Sequence, residues 1–311
     1  MNMTQENLKE EILRLKREKN ALIMAHYYQR DEIQEIADFI GDSLALARKA
    51  AQTDADIIVM CGVHFMGETA KILCPGKKVL VPDAEAGCSL ADSCDPKEFA
   101  AFVAEHPDHT VVSYVNTSAA VKAHTDIVVT SGNARKIIES LPQDEKIIFG
   151  PDHNLGEYIN SVTGRRMLLW DGACHVHERF SIQAILDMKK AHPGAKILVH
   201  PECRRPLQMV ADKVGSTAAL LDFARTDDAR EYIVVTESGI LFEMRRECPG
   251  KTFLPAPAED AECQCNECDY MKMSTLEKVA RCLREESPEI IVEPELAAKA
   301  LRPIERMLEL S

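Results

Sequence analysis

A chain of 311 residues, 46% hydrophobic and 28% charged, has room for two or three units with real cores. Its formal net charge of −13 at pH 7 argues against nucleic acid or an anionic membrane as the main partner. The longest apolar runs, such as Ile57-Ile58-Val59-Met60-Cys61, are far too short to span a bilayer.

The chain opens with Leu8, Ile12 and Leu15 at helical spacing among Glu and Lys, which predicts an amphipathic helix and not the apolar core of a signal peptide. The expected compartment is the cytoplasm, where eleven cysteines serve metal binding or catalysis rather than a disulfide framework. Three later segments begin alike. Ala21–Ala25 leads into His26, Thr110–Ser113 into Tyr114 and Lys196–Val199 into His200. Each is a short β-prone run ending in a polar aromatic side chain, as expected of a buried parallel strand whose C-terminal tip meets a ligand.

After the first strand, Ile33, Ile36, Ala37 and Ile40 predict a helix, broken by Gly41 before a second helix starts at Asp42-Ser43. The stretch Ala37–Ser43 reads like Ala211–Thr217, and Ser43 follows His26 by the same 17 residues that separate Thr217 from His200. This is an internal repeat. The middle unit reads as abbreviated, because Asn116-Thr117-Ser118 runs almost directly into Ala119-Ala120-Val121. Second strands are expected at 56–62, 126–132 and 232–239, and third strands at 79–83, 147–152 and 252–255, each followed by a loop with a cysteine. Toward the end, Ser274–Glu277 reads as a capping box, Glu289–Val292 as one more strand, and Pro294 and Pro303 as first-turn residues of two closing helices.

The pattern predicts an α/β protein of three similar parallel-sheet α/β/α sandwich domains around a pseudo-threefold axis, with the site at the centre. The units are expected at 1–88, closed by the segment 269–311, then at 89–174 and 175–268.

Chemistry concentrates in Trp170–Glu178, which holds a thiol, two imidazoles and two carboxylates in nine residues. Cys174 there lies 86 residues after Cys88 and 94 before Cys268, and each of the three ends the third-strand region of its own unit. Three thiolates converging on one axis would leave the fourth corner of an iron–sulfur cubane open for substrate. The run Cys263-Gln264-Cys265-Asn266-Glu267-Cys268 also admits a zinc site with Cys248, or a redox-active pair at Cys265 and Cys268. His175 carries no signal beyond its place in the cluster. His26 and His200, at equivalent strand tips, point to ligand contact rather than packing. Two residues on, Tyr28, Asn116 and Glu202 can face the same way as His26, Tyr114 and His200. The hydroxyl loops at Asp42-Ser43, Ser131-Gly132-Asn133 and Ser216-Thr217 would together form an anion pocket built from backbone dipoles.

Nine strings in order closely resemble the quinolinate synthase family: His26–Gln29, Gly41–Leu44, Pro82–Asp92, Tyr114–Thr117, Thr130–Ala134, Trp170–Cys174, His200–Cys203, Gly215–Thr217 and Cys268–Met273. The resemblance implies a 4Fe–4S cluster held by Cys88, Cys174 and Cys268 with one open iron acting as a Lewis acid. It implies condensation of iminoaspartate (iminosuccinate) with dihydroxyacetone phosphate to quinolinate, phosphate and two waters, a step towards NAD. By position, His26, Ser43, Tyr114, Asn116, Ser131, His200, Glu202, Ser216 and Thr217 match substrate-binding residues, with Tyr28, His177 and Met273 at further pocket positions. Glu202, His200, Tyr28 and Tyr114 are the candidate catalytic residues. The L-aspartate oxidase that supplies the unstable imine is an expected partner. The competing expectation is another three-cysteine iron–sulfur redox or radical enzyme of similar three-lobed design, such as those of diphthamide synthesis or the last reductase of the non-mevalonate isoprenoid pathway. A non-enzymatic metal-binding protein is the third.

Overall fold

The computed structural model describes residues 4–259 and 266–311. They build the same succession three times. The first is α1 (Gln5–Glu18), β1 (Ala21–His26), α2 (Asp31–Ile36), β2 (Phe39–Gly41), α3 (Ser43–Gln52), β3 (Ile57–Cys61), α4 (His64–Leu73), β4 (Lys78–Leu80) and α5 (Ser89–Asp92). The second is α6 (Pro96–Ala104), β5 (Thr110–Tyr114), α7 (Ala119–Lys122), β6 (Ile127–Val129), α8 (Ala134–Ser140), β7 (Ile147–Gly150), α9 (His153–Thr163), β8 (Leu168–Leu169) and α10 (His175–Glu178). The third is α11 (Ile182–Ala191), β9 (Lys196–Val199), α12 (Arg205–Met209), β10 (Lys213–Val214), α13 (Thr217–Thr226), β11 (Glu231–Val235), α14 (Ile240–Glu247) and β12 (Thr252–Pro255), ending in a 3₁₀ turn at Met271–Met273. α15 (Leu276–Glu285) and α16 (Pro294–Leu310) close the chain.

Each succession makes one four-stranded, all-parallel sheet, in the orders β2-β1-β3-β4, β6-β5-β7-β8 and β10-β9-β11-β12. Helices cover both faces, so the strands are buried on both sides and read as continuous apolar runs. Alternate side chains divide between two cores. Met24, Val112 and Leu198 join one core shared by all three sheets, while Ile23, Val111 and Ile197 enter separate outer cores. The outer core of the first sheet is completed by Leu8, Ile12 and Leu15 of α1 and by Leu276, Val279 and Leu283 of α15. Burying each such side chain stabilises the fold by roughly 1.5–3 kcal/mol.

The register of the repeat is fixed by an aspartate. Asp38, Asp126 and Asp212 each accept a hydrogen bond from the strand N–H fifteen residues earlier, at Ile23, Val111 and Ile197, over 2.8–2.9 Å. The same aspartates return their own N–H to the carbonyls of those strand residues. Each pair thereby lays an edge strand beside the central one.

Several expectations are corrected here. Phe39-Ile40-Gly41 is the edge strand β2, pinned by Asp38, and the helix before it ends at Ile36. The middle unit is complete: α7 is the counterpart of α2, and residues 127–129 form the edge strand corresponding to β2, not β3. Ile147–Gly150 then corresponds to β3, and Leu168–Leu169 supplies the fourth strand. Ser131 therefore follows Tyr114 by 17 residues, as Ser43 follows His26 and Thr217 follows His200. At the end of the chain, Glu289 makes only an isolated bridge to Leu80, and Thr275 rather than Ser274 caps α15. Pro303 lies inside the single helix α16, which packs on α4, α7 and β6.

Candidate active site

His26 and Tyr114 end their central strands and His200 directly follows its own. Two residues on stand Tyr28, Asn116 and Glu202, and the hydroxyls of Ser43, Ser131 and Thr217 sit at or just before the helices that follow the edge strands. All nine border one central cavity of about 690 Å³, its open mouth included. The carboxyl ends of three parallel sheets meet there, which is where open α/β sheets present ligand sites.

His26 and His200 are fixed alike. The N–H of Tyr28 donates to His26 Nδ1 at 3.2 Å, and the N–H of Glu202 to His200 Nδ1 at 3.4 Å. Each Nδ1 is thus an acceptor, which leaves the ring proton on Nε2. His200 Nε2 lies 3.3 Å from Ser131 Oγ. Burial depresses both imidazoles to a pKa of about 3, so both are neutral donors near pH 7.

Glu202 is the hub of a buried hydrogen-bond chain. Tyr114 Oη donates to Glu202 Oε1 at 2.5 Å, and His177 Nδ1 lies 3.1 Å from Oε2. His177 Nε2 is 2.9 Å from Thr236 Oγ1, and Tyr28 Oη stands 2.7 Å from Thr236 Oγ1 and 2.9 Å from Thr217 Oγ1. An ionised carboxylate only accepts, so it sets every direction: Thr217 donates to Tyr28, Tyr28 to Thr236, Thr236 to His177, and His177 to Glu202. Burial alone would raise the Glu202 pKa, but the imidazoles of His177 and His200 and the hydrogen bonds from His177 and Tyr114 outweigh it. The carboxyl stays below the usual carboxylate range. Tyr28 and Tyr114 move the other way, held well above the ordinary phenol range chiefly by burial and then by the Glu202 charge.

Cys88, Cys174 and Cys268 also border the cavity. Cys88 and Cys174 sit at the N-caps of α5 and α10, and Cys268 lies just ahead of the 3₁₀ turn. Buried carboxylates two residues past β7 and β11 hold two of these loops. Asp152 takes the N–H of Cys174 at 3.3 Å while capping α9, and Glu237 takes the N–H of Cys268 at 3.2 Å and of Gly239 at 2.7 Å. Lys272 neutralises Glu237 at 2.8 Å. Burial raises the Cys88 thiol to about 12 and that of Cys268 to about 11, and holds Cys174 well above its ordinary range. Metal binding here must therefore displace protons.

The expected ligand set of three cysteines with one open iron is corrected. Among the described residues, the donor atoms that could share one ion belong to Cys174, His177 and Glu202, all within 4.8 Å of one another. The reason is local. His177 stands three residues after Cys174 on α10, with its Nδ1 3.2 Å from the Cys174 Sγ, and the strand-tip Glu202 closes on the same point. Cys88 and Cys268 come from other loops around the rim and are not in that set. A thiolate, an imidazole and a carboxylate suit iron or zinc, so the site is metal-capable and compatible with an iron–sulfur cofactor. The alternative zinc and redox readings involve Cys263 and Cys265, which lie outside the described residues.

Of the remaining expected residues, His177 is on the cavity wall, whereas Ser216 caps α13 by accepting from the Ala219 N–H. Met273 ends the 3₁₀ turn, and it is Met271, at its start, that borders the cavity. Sequence reasoning missed Thr236, Glu237 and Asp152, each just beyond a buried strand where the repeat had already directed attention. It also passed over His175, which lines the cavity and pairs through Nδ1 with Ser89 Oγ at 2.5 Å, joining two cysteine loops.

Comparison with known proteins agrees with this architecture. The family described as NadA, quinolinate synthetase A protein, matches residues 10–309. The quinolinate synthase of Chloroherpeton thalassium is 53% identical over 311 residues, covering all of this chain and 97% of its own length. Those of Thermosynechococcus vestitus and a Nostoc species are 55% and 56% identical, each over 96% of this chain and 93% and 91% of their own. On this likeness, spanning the whole repeat and its cavity, the chain belongs to the quinolinate synthase family.

Proposed function

We propose that this enzyme of NAD biosynthesis condenses iminoaspartate with dihydroxyacetone phosphate, releasing quinolinate, phosphate and two waters. The observation that carries the proposal is the ionised Glu202 at the end of the Thr217–Tyr28–Thr236–His177 hydrogen-bond chain, beside three equivalent hydroxyls in one cavity. The hydroxyls of Ser43 and Ser131 and the backbone N–H of Thr217, with the N-termini of α3 and α13, hold the triose phosphate and stabilise the departing phosphate. Neutral His26 and His200 offer Nε2–H to carbonyl or carboxylate oxygens. Glu202 accepts the protons removed during tautomerisation and dehydration, and Tyr114, which already donates to it, positions the carboxylate. Tyr28 and Asn116 orient substrate hydroxyl and amine groups. A metal centre held at Cys174, His177 and Glu202 would supply Lewis acidity.

In this reading the units run 1–88 with 269–311, 89–174 and 175–268, and all contribute to one reaction. The reaction belongs in the cytoplasm, in line with the absence of any helix among the described residues long and apolar enough to cross a membrane. An oxidase of L-aspartate would supply the imine. The test is anaerobic incubation of the purified chain with both substrates. Quinolinate and phosphate appearing in equal amounts supports the proposal, and their absence with a fully metallated protein refutes it.

A further inference from the structure

The threefold repeat extends to side chains that never reach the cavity. Eight residues after each strand tip, on α2, α7 and α12, stand Gln34, Lys122 and Gln208. Gln34 Nε2 donates to the carbonyls of Tyr27 at 3.1 Å and Gln29 at 2.9 Å. Lys122 Nζ donates to the carbonyl of Val115 at 2.8 Å and to that of Thr117. Gln208 Nε2 donates to the carbonyls of Pro201 at 2.8 Å and Cys203 at 2.7 Å. In every unit two of the acceptors are the carbonyls on either side of one residue; Gln34 Nε2 also lies 3.0 Å from the Gly239 carbonyl and Lys122 Nζ 3.3 Å from Thr117 Oγ1. Those three enclosed residues are Tyr28, Asn116 and Glu202.

We propose that Gln34, Lys122 and Gln208 are three equivalent positioning residues, each bridging the carbonyls that flank Tyr28, Asn116 or Glu202 and so aiming that side chain at the centre. The chain is turning from strand to helix at this point, ahead of the helical ladder; the Val115 carbonyl also accepts from the Thr117 N–H at 2.8 Å, and in every unit a donor reaching back from the helix bridges the pair. The bridge fixes the peptide planes before and after the enclosed residue, and with them the direction of its Cα–Cβ bond. Lys122 is the extreme case. It is fully buried, and its ammonium lies 5.5 Å from the centre of the Phe65 ring, another wall of the cavity. The aim of Asn116 matters because its Oδ1 is buried without a hydrogen-bond partner among the described residues, an acceptor left for a ligand donor.

This inference rests on the reading that Asn116 and Glu202 act on substrate, and its test separates the two. Lys122→Met, Lys122→Gln, Gln208→Met and Asn116→Ala are made in the full chain. For each, kcat, KM, melting temperature and amide exchange over 115–118 or 201–203 are measured. Lys122→Met should speed exchange over 115–118 and raise a substrate KM roughly five- to tenfold, the same change expected of Asn116→Ala, while still melting cooperatively. Lys122→Gln should recover most of that loss, because glutamine serves as the bridge in the other two units. Gln208→Met should lower kcat and speed exchange over 201–203. A variant that melts earlier yet keeps wild-type kcat, KM and loop exchange per folded molecule has lost only stability, and that result overturns the proposal. If Asn116→Ala itself behaves as wild type, the substrate reading of Asn116 fails, while the exchange data still decide the bridge. Should Lys122→Met not fold, the partly exposed Gln208 carries the same test.

Discussion

Glu202→Gln is the substitution with the sharpest expected signature. Glu202 accepts from Tyr114 Oη and His177 Nδ1 and is buried at 3% exposure. Glutamine keeps the shape and one acceptor oxygen but turns an N–H₂ toward one of these two donors. Losing one charge-assisted hydrogen bond costs about 1.5–3 kcal/mol. The variant no longer buries a carboxylate, and that desolvation is worth several kcal/mol in the opposite direction. In the wild type the hydrogen bonds and neighbouring imidazoles outweigh that desolvation, so the relief offsets only part of the loss and the fold should survive destabilised by about 1–3 kcal/mol. Proton transfer has no such compensation. Removing a positioned general base costs about 10²–10⁴ in kcat, or about 3–5 kcal/mol of barrier. The assay follows quinolinate formation anaerobically alongside a chemical denaturation curve. A folded variant with wild-type turnover would remove Glu202 from the proton transfers, and one more stable than wild type would refute the reading that its hydrogen bonds outweigh its burial.

Other outcomes follow from the same geometry. Asp152→Asn should change denaturant unfolding by no more than about 1 kcal/mol: the amide cannot accept from both Leu155 and Cys174, but it also relieves a carboxyl that burial and then the Glu202 charge hold well above its ordinary range. Gly239→Ala would put a Cβ 2.7 Å from the Tyr28 backbone, so the two units must part locally; about 1–3 kcal/mol of stability and a raised KM are expected, and an unchanged KM would count against Tyr28 as a substrate contact. Burial lowers the Lys122 pKa from 10.5 to about 8. Below pH 8 the ammonium is charged in both folded and unfolded chains, and the folded form carries the full penalty of about 3 kcal/mol. Between pH 8 and 10.5 the unfolded chain keeps its proton while the folded one releases it, so this contribution to stability rises with pH. Denaturation of wild type and Lys122→Met across that window should show the rise only in wild type. Cys174→Ala should lose bound metal by elemental analysis, together with the stabilisation of about 2.7 kcal/mol that a ligand gives at a hundred times its Kd.

Much of this architecture is legible in the residues. The apolar strands ending in His26, Tyr114 and His200 announce parallel sheets, and the 17-residue interval to Ser43 and Thr217 announces the repeat. The middle unit is misread because hydrophobicity alone cannot tell an edge strand from a central one. Residues 127–129 are as apolar as β3, yet Asp126 holds them at the edge. The aspartates at 38, 126 and 212 would have set the register, but an aspartate before an apolar run also reads as an ordinary turn. Thr236 and Glu237 were visible as strand-end polar residues; what made them functional was their approach to His177 and Cys268 from a distant part of the chain. The same limit explains the metal donors. Spacing along the chain grouped three cysteines, whereas the atoms able to share an ion combine a helical neighbour of Cys174 with a strand tip from the next unit.

The central claim is that one cavity, built by three equivalent strand tips, joins a three-carbon phosphate to a four-carbon imine. The most direct measurement is anaerobic turnover of the metallated chain with iminoaspartate and ¹³C-labelled dihydroxyacetone phosphate, followed by mass spectrometry of the product. The account predicts quinolinate carrying all three labelled carbons, one phosphate released per ring formed, and loss of both in Glu202→Gln. Unlabelled quinolinate, or phosphate release without any ring, would contradict it.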